Sequence, residues 1–118
     1  MKCQAEDFRK EYKREMRAIR DSMDVLSGKW KIAIITSICC YRTRRFSDML
    51  ADVAGISNRM LSKELKELET HQLIKRTVLD IQPIAVQYEL TAHGQTLKTI
   101  IDHLTEWGVA HHQQIVGN

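Results

Sequence analysis

Near the start of the chain, apolar residues recur at helical spacing, with Phe8, Tyr12, Ile19, Met23 and Leu26 on one narrow stripe. The spacing predicts a helix over residues 5–26, stopped by Ser27-Gly28. From Trp30 to Cys40 the chain is apolar on nearly all sides, which predicts a buried central helix. A basic stretch follows, Tyr41-Arg42-Thr43-Arg44-Arg45, and then two short helices are expected. The first covers residues 47–53, with Ser47 placed to cap it and Asp48 where the helix dipole favours a carboxylate. Ala54-Gly55-Ile56 makes a tight turn, and Ser57 caps the second helix over residues 58–71.

Beyond this pair the period falls from 3.6 to two. Residues 73–79 and 85–90 are predicted strands, joined through Asp80-Ile81-Gln82-Pro83-Ile84 as a hairpin. In the second strand Val86, Tyr88 and Leu90 share one face, with Gln87, Glu89 and Thr91 on the other. Thr91 then caps a last helix over residues 92–114. Its apolar stripe runs through Leu97, Ile100, Ile101, Leu104 and Gly108 towards Ile115, with Trp107 at the margin. A short helix, a Gly-containing turn and a second helix is the layout of a helix-turn-helix, here followed by a hairpin and with long helices at both ends. The fold expected is therefore α+β and mainly α, a single domain over residues 1–118. The helix-turn-helix lies at 46–71 and the hairpin at 73–90.

Length and composition fit this reading. The chain has 118 residues, 43% of them hydrophobic and 28% charged, with five Gly, one Pro and no internal repeat. No apolar run approaches the roughly 18 residues of a membrane span. The first residues turn acidic without an apolar core, unlike a signal peptide, so a cytoplasmic location without membrane attachment is expected. Three cysteines are an odd count and suggest no disulfide framework. The net charge of +3 is too mild to imply nucleic acid unless its placement does so.

Placement is informative in the second helix of the pair. Leu61, Leu65 and Leu68 form its core stripe, while Arg59, Lys63, Lys66 and Thr70 gather on the opposite side. Asn58 and Ser62 lie at the edges of that outer face. Like charges spaced this way weaken an isolated helix, and a phosphate partner turns the repulsion into attraction. Arg and Asn near a helix start are also the types that read guanine and adenine edges bidentately. A solvated face with Lys63 paired to Glu67 is the plainer alternative. Arg42, Arg44 and Arg45 at the entrance to the pair favour the DNA reading, with Arg44 and Arg45 placed for phosphate.

With these residues in place, the chain resembles the HxlR-type regulators, dimeric winged helix-turn-helix transcription factors. The resemblance rests on Leu26-Ser27-Gly28-Lys29-Trp30, on Arg45-Phe46-Ser47-Asp48-Met49-Leu50, and on Gly55-Ile56-Ser57-Asn58-Arg59-Met60-Leu61. It continues in Leu65-Lys66-Glu67-Leu68-Glu69, Val86-Gln87-Tyr88-Glu89-Leu90-Thr91-Ala92-His93-Gly94 and Glu106-Trp107. It implies that Asn58, Arg59, Ser62 and Lys63 lie on a recognition helix in the major groove. It also implies that the hairpin is the wing and that the first and last helices make a homodimer suited to a palindromic operator.

Three departures stand out. Arg17-Ala18 occupy the place where relatives often carry a Cys-Pro pair used for redox sensing, so any thiol effect is expected at Cys3, Cys39 or Cys40. The wing tip has no basic residue, although Lys75 and Arg76 stand on the strand leading to it. Gln72 replaces the usual Gly after the recognition helix, which leaves the construction of that turn open.

Other readings are weaker. Adjacent Cys39 and Cys40 on a helix point about 100° apart, poorly arranged to chelate one ion, and are expected to be small core residues. His103, His111 and His112 near the tail lack a partner spaced to close a metal set. No nucleophile–base arrangement, Gly-rich phosphate loop or paired carboxylates are visible, so neither an enzyme nor a cofactor is expected. A winged-helix protein-interaction module without DNA binding and a metal-responsive sensor remain the alternatives. A small-molecule or redox effector is compatible with the chain but unnamed by it. Trp30 and Trp107 are expected in core or dimer contacts, or else as a wall of an effector pocket.

Overall fold

The computed structural model describes residues 8–117; Cys3 and the expected helix start at Ala5 lie outside the described residues. Along the chain run α1 (Phe8–Leu26), α2 (Lys31–Tyr41), β1 (Thr43–Arg45), α3 (Phe46–Asp52) and α4 (Asn58–Thr70). They are followed by β2 (Ile74–Leu79), β3 (Ala85–Leu90), α5 (Ala92–Gln95) and α6 (Leu97–Val116). Among the described residues the strands form one antiparallel sheet in the order β1-β3-β2. In its register Thr43 lies opposite Glu89 and Arg76 opposite Tyr88. No helix among them is long and apolar enough to cross a membrane.

The core sits where α2, α3 and α4 meet the sheet. Ile34, Ile35 and Ile38 of α2 pack with Met49 of α3, Leu61, Leu65 and Leu68 of α4, and Leu73, Ile74 and Tyr88. Burial of α2 is one-sided rather than all-round, because its isoleucines share a face that leaves Ala33 and Cys40 exposed. Cys39 is half-buried, so the expectation of two core cysteines is corrected.

Two further expectations are revised. The basic stretch contains a strand, β1, which pairs with the edge of β3 that β2 leaves free. Helix α3 begins at Phe46 rather than after Ser47. Its start is closed by the Asp48 carboxylate, which accepts the Arg45 backbone N–H at 3.0 Å, so Ser47 does not cap it. Ser57 does cap α4, its hydroxyl accepting the Met60 N–H at 3.1 Å. Between the two, Gly55 adopts a φ of +85°, the left-handed conformation that the turn requires.

The far end of α4 closes with the two backbone bonds of a Schellman motif, Gln72 N–H to Glu69 O at 2.8 Å and Leu73 N–H to Leu68 O at 3.0 Å. Gln72 therefore carries the left-handed φ of +60° that Gly normally supplies. The turn is built in the ordinary way with an unfavourable residue. Gln72→Gly is expected to raise stability by about 1 kcal/mol, read as a higher urea midpoint with unchanged slope. An unchanged or lower midpoint would show that the Gln side chain offsets its backbone strain.

Thr91 caps the next segment, accepting the Gly94 N–H at 2.9 Å. The single C-terminal helix read from the sequence is interrupted at Thr96, which ends α5 before α6 begins. Helices α1 and α6 stand largely clear of the core, and α1 buries no residue. Their reach gives a radius of gyration of 17.5 Å, against about 13.5 Å for a compact domain of this length.

Candidate nucleic-acid interface

Helix α4 is seated by Leu61, Leu65 and Leu68, all buried, so its opposite face is held outward. That face carries Asn58, Arg59, Ser62, Lys63 and Lys66, every one exposed. Lys63 reaches Glu67 only at 3.9 Å and leaves 67% of its side chain in solvent. The pairing expected of a plain solvated face is thus weak.

The structure also joins residues distant in sequence. Ser62 and Lys66 of α4, Arg76 of β2 and Tyr88 of β3 line one cleft of about 480 Å³, walled by Phe46 and Val86. Two cations and two hydroxyls therefore share one cleft between the helix and the wing, with the Glu69 carboxylate beside them. Burial pushes the Tyr88 phenol up, partly countered by its hydrogen bond with Arg76. From the sequence Tyr88 had a strand face and Phe46 a place in a motif, but neither was put at this site; their part depends on β3 meeting α4, which no local pattern displays.

The arginines before the helix pair separate in role. Arg45 is exposed, next to the start of α3. Arg44 is turned in: its Nε and Nη2 donate to one oxygen of Asp52 at 2.8 and 2.6 Å. Its guanidinium also covers the Tyr41 ring at 3.8 Å. The same Asp52 oxygen accepts the Ser37 hydroxyl at 2.7 Å. These hydrogen bonds, from Ser37 and then Arg44, hold the Asp52 carboxyl below its usual range. Arg44 thereby ties β1 to α3, and through Asp52 to α2, rather than offering a free fork to phosphate.

A second ionic cluster lies beneath α4. Lys31 of α2, 4% exposed, donates to Glu64 and Glu67, each at 3.1 Å. Burial alone would lower the ammonium's pKa, but hydrogen bonds to Glu67 and Glu64 carry it above the usual value. The bond from Lys31 correspondingly holds the Glu67 carboxyl down. The depressed Asp52 and Glu67 carboxyls stabilise the fold above the ordinary carboxylate range, and that contribution is lost as pH falls through the lowered values. The sequence signal for this cluster was Glu64 itself, a carboxylate set beside the Leu61-Leu65-Leu68 stripe.

For the metal reading, no group of three or more His, Cys, Asp or Glu side chains converges among the described residues. His111 instead stacks on Trp107 with ring centroids 4.7 Å apart. Trp107 is exposed, whereas Trp30 packs partly buried against the core.

The sequence profile of HxlR-like helix-turn-helix proteins matches residues 25–116. The HTH-type transcriptional regulator YdzF of Bacillus subtilis is 35% identical over 89 residues, 75% of this chain and 82% of that protein. The HTH-type transcriptional regulator BH0655 of Halalkalibacterium halodurans is 36% identical over 104 residues, covering 84% and 92%. Among solved structures, the redox regulator HypR in its reduced form aligns with a TM-score of 0.77 at 30% identity, over 86% of this chain and 99% of that one. A transcriptional regulator of the MarR family from Porphyromonas gingivalis W83 aligns with a TM-score of 0.72 at 35% identity, over 77% and 88%. These likenesses do not favour an interaction module without DNA binding. The chain is a winged-helix DNA-binding transcription regulator, and it belongs to the HxlR-like helix-turn-helix family.

Proposed function

We propose that the protein works in the cytoplasm as a homodimer that reads a palindromic double-stranded DNA operator through α4. The observation that carries this reading is the exposed polar and cationic face of α4, held opposite its buried leucines and joined to Arg76 of the wing. Asn58, Arg59, Ser62 and Lys63 face the major groove. Lys66, Arg76 and Arg45 meet the backbone phosphates. Arg44 acts on the interface indirectly, by tying β1 to Asp52 and so to the end of the first helix of the pair.

Arg59→Ala is expected to cost about 1–3 kcal/mol on the preferred site and to relax base preference at one position per half-site. Arg45→Ala is expected instead to weaken binding to all sequences alike, flattening the dependence of log K on log salt by about one unit per lost contact. Titration of specific and scrambled duplexes at several salt concentrations separates the two. If Arg59→Ala weakens both duplexes equally while Arg45→Ala alters base preference, the faces are assigned wrongly. If neither changes binding, the DNA-reading face lies elsewhere.

The homodimer is argued from apolar surface that the single chain leaves uncovered. Phe8, Tyr12, Ile19 and Met23 of α1 are exposed, as are Ile100, Leu104, Trp107 and Ile115 of α6. Two copies that bury these faces around a two-fold axis would set their recognition helices about 34 Å apart, one turn of duplex. At Gly108 an added Cβ meets nothing within 4 Å among the described residues, which leaves room on α6 for a close helix. Leu104→Asp is expected to shift the dimer to monomer at micromolar concentration in sedimentation velocity, with loss of tight operator binding. A parent protein that sediments as a monomer refutes the dimer.

A further inference from the structure

A cleft of about 650 Å³ lies at the C-terminal end of α2, and no residue of α4 lines it. Its polar lining comes from four segments: Cys39 and Arg42 after the α2 core face, Thr43 of β1, Glu89 of β3, and Gln95 and Lys98 around the α5–α6 break. Ile38 and Leu90 give it an apolar wall. The volume falls within the roughly 300–1,000 Å³ of small-molecule sites, and an apolar surface with a few convergent polar groups is their usual composition.

Charge narrows the occupant. Arg42 and Lys98 make no ion pair among the described residues, unlike Arg44 two positions on, whose donors and flat face are taken by Asp52 and Tyr41. Among the described residues Glu89 is the one carboxylate in the lining, and it stands directly opposite Lys75 in the ladder. The cleft therefore has a cationic surplus. Arg42 is moreover held at φ +70° and ψ −53°, a strained γ-turn conformation for a residue with a side chain. Such strain gathers where surrounding structure fixes a side chain for use. We propose that this cleft binds a small organic anion, with its carboxylate between Arg42 and Lys98 and its apolar body against Ile38 and Leu90. The site is separate from the α4 face, and an occupant would bridge the winged-helix core to α6.

Cys39 on the wall reports occupancy, and Cys40, exposed and one position on, serves as the control. Two single-cysteine proteins are compared, Cys3→Ser/Cys40→Ser and Cys3→Ser/Cys39→Ser. Each is labelled with dianionic 5,5′-dithiobis(2-nitrobenzoate) and with uncharged 4,4′-dithiodipyridine. In each reaction the thiolate sulfur attacks the reagent disulfide, a protein–reagent S–S bond forms, the reagent S–S bond breaks, and one aryl thiolate leaves with the electron pair. The anionic-to-neutral rate ratio at Cys39 is expected to exceed that at Cys40 by about tenfold, the scale of electrostatic focusing in a lined cleft. Lys98→Gln together with Arg42→Gln should bring the Cys39 ratio down to that of Cys40, and Glu89→Gln should raise it. Lys98 is exposed, so Lys98→Gln alone retains the test if the Arg42 change disturbs its turn. Equal ratios at the two thiols, or a Cys39 preference that survives Lys98→Gln undiminished, would overturn the proposal. Neither outcome depends on DNA binding.

Discussion

Gly94→Ala is expected to leave the protein largely unfolded, with a loss of about 4 kcal/mol or more. A Cβ at this position would stand 2.0 Å from the Leu73 carbonyl oxygen and 3.0 Å from its carbon, and both belong to the backbone. No side chain can swing aside to relieve the contact. The backbone it meets is also tied down. Leu73 O accepts the Thr91 N–H at 3.0 Å, the Thr91 hydroxyl donates to Gln72 O at 2.6 Å, and the same hydroxyl accepts the Gly94 N–H at 2.9 Å. The end of the recognition helix, the end of the wing and the start of the C-terminal helices are thus pinned at one point, so separating them disturbs all three. A domain of this size has only about 5–15 kcal/mol to lose. Urea unfolding followed by circular dichroism checks the expectation. An Ala variant within about 1 kcal/mol of the parent would mean that α5 moves off Leu73 at little cost.

What could be read in the sequence follows the range of the interactions involved. Helix α4 was legible because its leucine spacing, its Ser57 cap and its outward cations are all local. Strand β3 was legible from strict alternation, and its bounds at Ala85–Leu90 match the pattern. The recognition face needed only helical geometry, so Asn58, Arg59, Ser62, Lys63 and Lys66 emerge exposed together. Arg44 was not legible as a clamp, since the choice between phosphate and Asp52 depends on how β1 meets α3 and on Ser37 supplying a further hydrogen bond. Strand β1 has three residues, too short for a period, and exists because β3 offers a free edge. The cap of α3 was misassigned because Ser47 is a better capping type than Arg45, which holds the N-cap position, while Asp48 acts from three positions past Arg45. Cys40 was expected inside because composition showed an apolar run but not which side of α2 the core would take.

Lys31→Met is expected to cost about 3–5 kcal/mol, although Met matches the stem of Lys in size. The reason is the partner left behind. Lys31 and Glu64 have side chains only 5% and 6% exposed, and Glu64 hydrogen-bonds to the ammonium at 3.1 Å. Removing the cation leaves a buried carboxylate with neither water nor charge to compensate it, whereas Glu67, at 42% exposure, can turn to solvent. Adding Glu64→Leu should then restore most of the loss, because an apolar pair of similar volume suits the site about as well as the ion pair does. The coupling between the two changes in a double-mutant cycle is expected to be a large part of the single-variant loss, about 2–3 kcal/mol. Absence of coupling would mean that Glu64 finds solvent or another donor when Lys31 is gone. The restored double variant also tests what the ion pair does for DNA. Leu61, Leu65 and Leu68 already seat α4 on α2, so operator affinity should stay within about threefold of the parent, roughly 0.6 kcal/mol. A stable double variant that loses tenfold or more would show instead that the Lys31–Glu64 bond, not the leucine stripe, sets the angle at which the recognition helix is presented.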